Sequence, residues 1–80
     1  MRLKVRKLMD GPGPNEALVA VNSASGAVEQ VVVHRTAIDH DMIDVGHPIH
    51  QAEDKALVEL PREAMSGSWR VWVPNEDVDS

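Results

Sequence analysis

Four histidines lie within seventeen residues and are the first candidates for chemistry: His34, His40, His47 and His50. Three aspartates are interspersed among them, and neutral imidazole with carboxylate is a ligand set that zinc or nickel accepts. The spacing argues against such a site, because His47 and His50 would point to opposite faces of a strand, and the proline between them prevents a helix. A metal site is therefore a third hypothesis, and its alternative is a polar connection whose imidazoles titrate near neutrality.

Catalytic motifs are missing from the sequence. Ser66 and Ser68 flank a glycine outside the strand–turn–helix setting of a nucleophile elbow, and neither GxGxxG nor a P-loop is present. Residues 11–14 are Gly-Pro-Gly-Pro, whose prolines remove the amides that a phosphate cradle needs. The absence of cysteine excludes disulfides, thiol catalysis and Cys-ligated zinc. We therefore expect a protein that is not an enzyme and holds no cofactor.

Positive charge is concentrated at the start of the chain. Four of the eight cations are Arg2, Lys4, Arg6 and Lys7, whereas the formal net charge of the whole chain is -5. Outward cations on a strand can contact phosphates, which makes a nucleic-acid-binding barrel the alternative function. Against it, an acidic protein repels a polyanion at long range, and a row of cations also protects an exposed edge strand.

The two tryptophans are the only aromatic residues, and they lie three positions apart in a predicted strand over 68–73. Successive side chains of a strand point to opposite faces, so one indole should lie inside and the other outside. Trp69 shares the face of the neighbouring valines and is predicted to anchor the core. Trp72 shares the outer face with Arg70.

The outer face around Trp72 is the predicted partner-binding surface. If the neighbouring strand is 55–60, Leu57 and Glu59 face outward beside the indole. The candidate contact residues are Trp72, Arg70, Leu57 and Glu59. Exposed tryptophan with arginine is typical of interaction hot spots, and Val78 would add apolar contact. The sequence thus predicts a small accessory or adaptor module that binds a protein partner or a second copy of itself.

A different interpretation leaves no such surface. Met65, the turn over 61–67 or the N-terminal strand would cover Trp72 and form a second small core, since tryptophan is usually mostly buried.

Short valine-rich runs between turn residues set the fold class. Valines outnumber leucines twelve to five, and β-branched side chains favour strands. The predicted strands are 2–8, 16–22, 27–34, 55–60 and 68–73, with turns at 10–14, 23–26 and 61–67. Two alternatives remain for the middle of the chain: a short helix over 36–46, or a turn over 36–40 followed by a strand over 42–49, which we prefer.

These elements predict an all-β fold, a small antiparallel barrel of five or six strands with one short helical turn before the last strand. Closing the sheet hides strand edges and builds one core from few residues. The order of elements resembles the SH3-like barrel at the level of the fold, and that resemblance carries no functional residues with it.

Domain organisation and location follow from length and hydropathy. We expect a single domain over 1–74 and a frayed acidic tail over 75–80. No apolar run approaches the ~20 residues of a membrane span, and the start lacks a signal-peptide core. We therefore expect a cytoplasmic protein that makes no membrane contact.

Overall fold

In the computed structural model, residues 1–79 are described, and they form nine strands and two short 3-10 turns. The strands are β1 Arg2–Lys4, β2 Arg6–Asp10, β3 Glu16–Asn22, β4 Val28–His34, β5 Met42–Asp44, β6 His50–Gln51, β7 Lys55–Glu59, β8 Arg70–Pro74 and β9 Val78–Asp79. The 3-10 turns are Arg35–Ala37 and Asn75–Asp77. This part of the chain contains no helix of the length and apolarity that crossing a membrane requires. The prediction of an all-β fold is confirmed.

The strands form three antiparallel sheets, in the orders β5–β1–β9, β2–β3–β4 and β6–β7–β8. Within residues 1–79 these sheets do not join into a closed barrel, which corrects the barrel prediction. The chain turns out of one sheet at Val5, so the predicted strand over 2–8 is divided into β1 and β2 in different sheets. Only isolated hydrogen bonds join the turn before β4 to β8, such as that from the Ala24 N–H to the Trp72 carbonyl at 2.8 Å.

One apolar core serves all three sheets. Its members are small and mostly β-branched: Leu3, Val5, Val19, Val21, Val31, Val33, Ile43, Val58, Leu60, Ala64, Val71 and Val73. Strand alternation explains this set, because β3, β4, β7 and β8 each send every second side chain inward. The radius of gyration is 11.6 Å, close to the roughly 12 Å expected of a compact chain of this length.

The segment 61–67 forms bends and turns, which corrects the predicted helical turn before the last strand. The Gly67 N–H donates to the Ala64 carbonyl within the segment, whereas the Ala64 N–H donates to the Ser68 carbonyl and the Met65 N–H donates to the Gln30 carbonyl of β4, all at 2.8 Å. The segment thus braces β4 against the β7–β8 sheet.

The middle of the chain agrees with the preferred turn-and-strand prediction, although β5 is shorter than the predicted 42–49. A two-residue turn enters β5, with mutual hydrogen bonds between Asp39 and Met42. Its central residues, His40 and Asp41, have φ of 53° and 62°. These left-handed values at both positions are those of a type I′ turn, in which asparagine and glycine are usual.

Residues 75–79 adopt regular structure in place of the predicted frayed tail, and Ser80 lies outside the described residues. The Asn75 side chain donates to the Glu53 carbonyl at 2.9 Å and fixes the turn after β8. Val78 then pairs with Leu3 and packs against the core. Val78 therefore belongs to the β1 sheet and does not extend the surface around Trp72.

Candidate functional site

A row of three side chains crosses the outer face of the β6–β7–β8 sheet. Leu57 pairs with Trp72 on one side and with His50 on the other. Arg70 and Glu59 form the next pair on the same face, with 3.4 Å between Arg70 Nε and Glu59 Oε2. The four residues predicted as a contact surface are therefore neighbours on one face of the sheet.

Trp72 is half-buried, and two polar side chains contact its ring. The Lys55 ammonium lies 5.0 Å from the ring centre, within the range of a cation–π contact. The His50 ring meets it edge-on, with 5.7 Å between centroids and an interplanar angle of 88°. Met65 is 71% exposed, so it does not form the second core that would have covered Trp72. We call the set His50, Lys55, Leu57, Arg70 and Trp72 the Trp72 face.

Trp69 is not in the core, which corrects its predicted role. It lies one residue before β8, is 50% exposed, and donates from Nε1 to Glu63 Oε2 at 3.0 Å. Its carbonyl accepts the Leu60 N–H at 2.8 Å, so Trp69 belongs to the last pair of the β7–β8 ladder. The predicted alternation holds for Val71 and Val73, which are buried, but Trp69 is exposed although its partner Leu60 is buried.

A groove of about 370 Å³ lies beside the Trp72 face, between the β3–β4 turn and β8. Its lining includes Ser23, Ser25, Glu29, Asp54, Lys55 and Trp72. Ser66 Oγ donates to Glu29 Oε1 at 2.6 Å, which ties β4 to the 61–67 segment. The groove thus separates the β2–β3–β4 sheet from the β6–β7–β8 sheet.

The backbone of β8 presents its free edge to this groove. Hydrogen bonds from Leu60 N–H to Trp69 and from Asn75 N–H to Asp54 bracket the β7–β8 ladder. Because such bonds recur at every second pair, the N–H and C=O groups of Arg70 and Trp72 point away from β7. The Ala24 N–H donates to the Trp72 carbonyl. The other outward N–H and C=O groups of Arg70 and Trp72 face the groove.

The four N-terminal cations do not act as one row. Arg2 donates from Nη2 to Asp39 Oδ2 at 3.2 Å, and Lys7 lies 3.3 Å from Asp10. Lys4 and Arg6 are in no ion pair within residues 1–79 and, together with Lys7, line a second cavity, of about 460 Å³, at the chain turn around Val5. The basic residues of β1 and β2 are thus divided between ion pairs and a cavity.

Asp10 is the centre of an exposed cluster at the end of β2. Besides Lys7, Arg35 Nη2 lies 2.6 Å from its carboxylate. The hydrogen bond from Lys7, followed by the charge of Arg35, lowers the pKa of Asp10 below its ordinary value. This cluster ties β2 to the 3-10 turn after β4.

The histidines proposed as metal ligands are not brought together. Within residues 1–79, no group of three His, Cys, Asp or Glu side chains is placed to hold a metal ion. His40 is paired through Nδ1 with Asp39 Oδ1 at 2.8 Å, while His50 contacts Trp72 in another sheet. His34 ends β4, and His47 lies in the connection before β6. His34 and His50 therefore lie in two different sheets, although they are close in sequence.

No relative of this chain emerges from comparison with known proteins. No protein-family model matches it, and neither the curated proteins nor the solved structures contain a match.

Sequence reasoning missed two members of the Trp72 face. Lys55 had a signal, since it lies two residues before Leu57 and so shares its face of the strand. His50 had none, because the pairing of the two-residue β6 depends on the conformation of the preceding connection.

Proposed function

We propose that this chain is a small non-catalytic module that binds a protein partner through the Trp72 face. The observation that carries the proposal is the half-buried indole of Trp72, held in the middle of an outward sheet face with Leu57 opposite it. Tryptophan anchors of this kind dominate binding energy because a large apolar surface is fixed before the partner arrives.

The groove beside this face suggests how a partner is held. An extended segment of the partner lying along β8 would pair with the outward N–H and C=O groups of Arg70 and with the N–H of Trp72, as in strand addition, because the Trp72 carbonyl already accepts the Ala24 N–H. Glu29 of β4 lines the opposite wall, so an added strand would lie between two sheets that the chain leaves apart.

Charge indicates the side chains that this segment carries. Lys55 forms no ion pair within residues 1–79, although five of the other cations do. A carboxylate of the partner would pair with the Lys55 ammonium, and an adjacent apolar side chain would rest on Trp72. Asp54 also lines the groove and would repel a segment with many acidic residues. We therefore expect a segment of alternating apolar and polar residues with a single carboxylate.

Selection from a displayed library of random twelve-residue peptides tests the proposal. The folded chain is the immobilised target, and dissociation constants of the selected peptides are then measured for three proteins. Trp72→Ala should weaken binding by about tenfold or more, since loss of a tryptophan anchor typically costs about 2 kcal/mol. Trp69→Ala is the matched control, because it removes an exposed indole outside this face, and it should leave the dissociation constant unchanged.

Equal effects of the two substitutions, or none, would refute a role for the Trp72 face. Sedimentation equilibrium of the parent chain and of the Trp72→Ala variant tests whether a second copy of the chain occupies this face. A dimer that the substitution dissociates would assign this face to a second copy of the chain in place of a different protein.

A further inference from the structure

The cavity at the chain turn shares no lining residue with the groove beside Trp72. Its volume of about 460 Å³ falls within the ordinary range of small-molecule sites. The lining residues are Lys4, Val5, Arg6, Lys7, Ala20, Asn22, Asp41 and Asp77. The wall thus combines the end of β1, the start of β2 and two loops that each carry a carboxylate.

The charged side chains that line this cavity form no ion pairs with one another. Within residues 1–79, only three of the eight cations lack a carboxylate within 4.0 Å, and two of them, Lys4 and Arg6, line this cavity. Asp41 and Asp77 line the same cavity and are likewise in no ion pair there. Opposite charges that share one cavity without meeting leave both signs available to a ligand.

The backbone holds Asp41 in place at some energetic cost. Both His40 and Asp41 have left-handed φ values, which are unfavourable for residues with a Cβ atom. The Asp41 carbonyl accepts the Val5 N–H at 2.9 Å, so the turn is fixed against the cavity floor. Strained residues of this kind concentrate at functional sites, where the surrounding structure maintains them.

We propose that this cavity binds a small zwitterion of amino-acid size. Its anionic group, a carboxylate or a phosphate, is held by Lys4 and Arg6. Its ammonium group is held by Asp41 and Asp77. A nucleic-acid backbone fits less well, since it offers no positive group to the two carboxylates, which would repel its phosphates.

Amide chemical-shift titration of the isotope-labelled full chain tests this proposal. Phosphoethanolamine is the zwitterionic probe, and inorganic phosphate and ethanolamine are its two halves. The zwitterion should give saturable shifts at Lys4, Arg6 and Asp41, with a dissociation constant at least about tenfold below that of either half.

Variants assign the two charges separately. Arg6→Gln should weaken the zwitterion and inorganic phosphate alike, whereas Asp77→Asn should weaken only the zwitterion and ethanolamine. Lys55→Gln is the control, because it removes the other unpaired cation outside this cavity, and it should change none of the constants.

Any of three results would overturn the proposal, the first two of which concern the small-molecule probes. The first is phosphate binding that equals zwitterion binding, and the second is the lack of saturable shifts with phosphoethanolamine at tens of millimolar. The third is tighter binding of single-stranded oligothymidylate at the same residues, which would assign the cavity to a polyanion. Peptide binding at the Trp72 face is measured independently, so either site can fail without the other.

Discussion

The Glu16 carboxylate accepts a 2.6 Å hydrogen bond from Arg62, a residue 46 positions further along the chain. Its second oxygen accepts the Gly13 N–H at 3.0 Å. A Cβ atom on Gly13 would lie 2.6 Å from that oxygen, so a larger residue there would displace the Glu16 carboxylate. Glu16 thus joins the turn before β3 to the segment after β7, and the hydrogen bond from Arg62 lowers its pKa below the ordinary value.

This lowered pKa predicts an acid-dependent loss of stability. A carboxylate whose pKa is lower in the folded chain stabilises it above the ordinary glutamate value, roughly 4.3, and that contribution disappears as the pH falls through the lowered pKa. We expect Arg62→Gln to lower the midpoint of thermal unfolding by a few degrees at pH 7 and by much less in strong acid. Calorimetry at both pH values measures the difference.

Arg70→Gln provides the control for a change of charge alone, since Arg70 meets Glu59 at 3.4 Å with both side chains more than half exposed. If Arg62→Gln lowered the midpoint of thermal unfolding by the same amount at every pH, the role of the Glu16 hydrogen bond would be contradicted.

The Leu3 side chain is completely buried between the sheets, so its truncation should destabilise the fold. Leu3→Ala should lower the free energy of unfolding by about 3 kcal/mol, from lost burial and a residual cavity. Leu8→Ala makes the same chemical change at a side chain that is 38% exposed, and it should cost less than about 1 kcal/mol. Urea unfolding followed by circular dichroism measures both, and similar losses would place the core elsewhere.

Val78 provides a test of the last strand. Because it pairs with Leu3 and packs against the core, Val78→Ala should cost about 1 kcal/mol. Asp79→Ala, next to it on an exposed side chain, should change stability by less than about 0.5 kcal/mol. Amide hydrogen exchange gives a second measurement, since pairing predicts protection of β1. If Val78→Ala left the free energy of unfolding unchanged, the last residues would be a frayed tail, as the acidic composition predicts.

Substitutions in the turn before β5 should raise the stability of the chain and weaken its binding of phosphoethanolamine. Replacing its centre by the preferred pair, His40→Asn with Asp41→Gly, should raise the free energy of unfolding by about 1 kcal/mol, because glycine tolerates positive φ. The same change removes the Asp41 carboxylate and should weaken phosphoethanolamine binding. His40→Asn alone keeps the carboxylate and should retain binding. Chemical denaturation and shift titration of the two proteins decide between these outcomes.

Local patterns predicted the strands whose side chains alternate regularly. The bounds of β3 follow from its alternation between turn residues, and the outer face that Leu57 shares with Trp72 follows from the alternation of β7 and β8. The division of the first strand at Val5 could not be predicted this way. The alternation of cations and apolar residues runs unbroken over 2–6, across Val5, and only the packing of three sheets requires the chain to turn there.

The candidate sites were predictable to the extent that one strand or one pair of strands defines them. Trp72 with Leu57 and Arg70 needed only the period of a strand and one register. The cavity at the chain turn brings Arg6, Asp41 and Asp77 together from three distant segments. Hydrophobic periodicity carries no information about such meetings, because they depend on how loops between sheets are folded.

The central position of β1, between β5 and β9, has a consequence for the order of folding. Sheets β2–β3–β4 and β6–β7–β8 are built from neighbouring segments, whereas Arg2 pairs with Asp79 from the far side of the chain. Loop closure over that separation is entropically expensive, so contacts of this kind form late. We therefore expect the pairing of β1 with β9, and with it the burial of Leu3, to form after the local strand pairs.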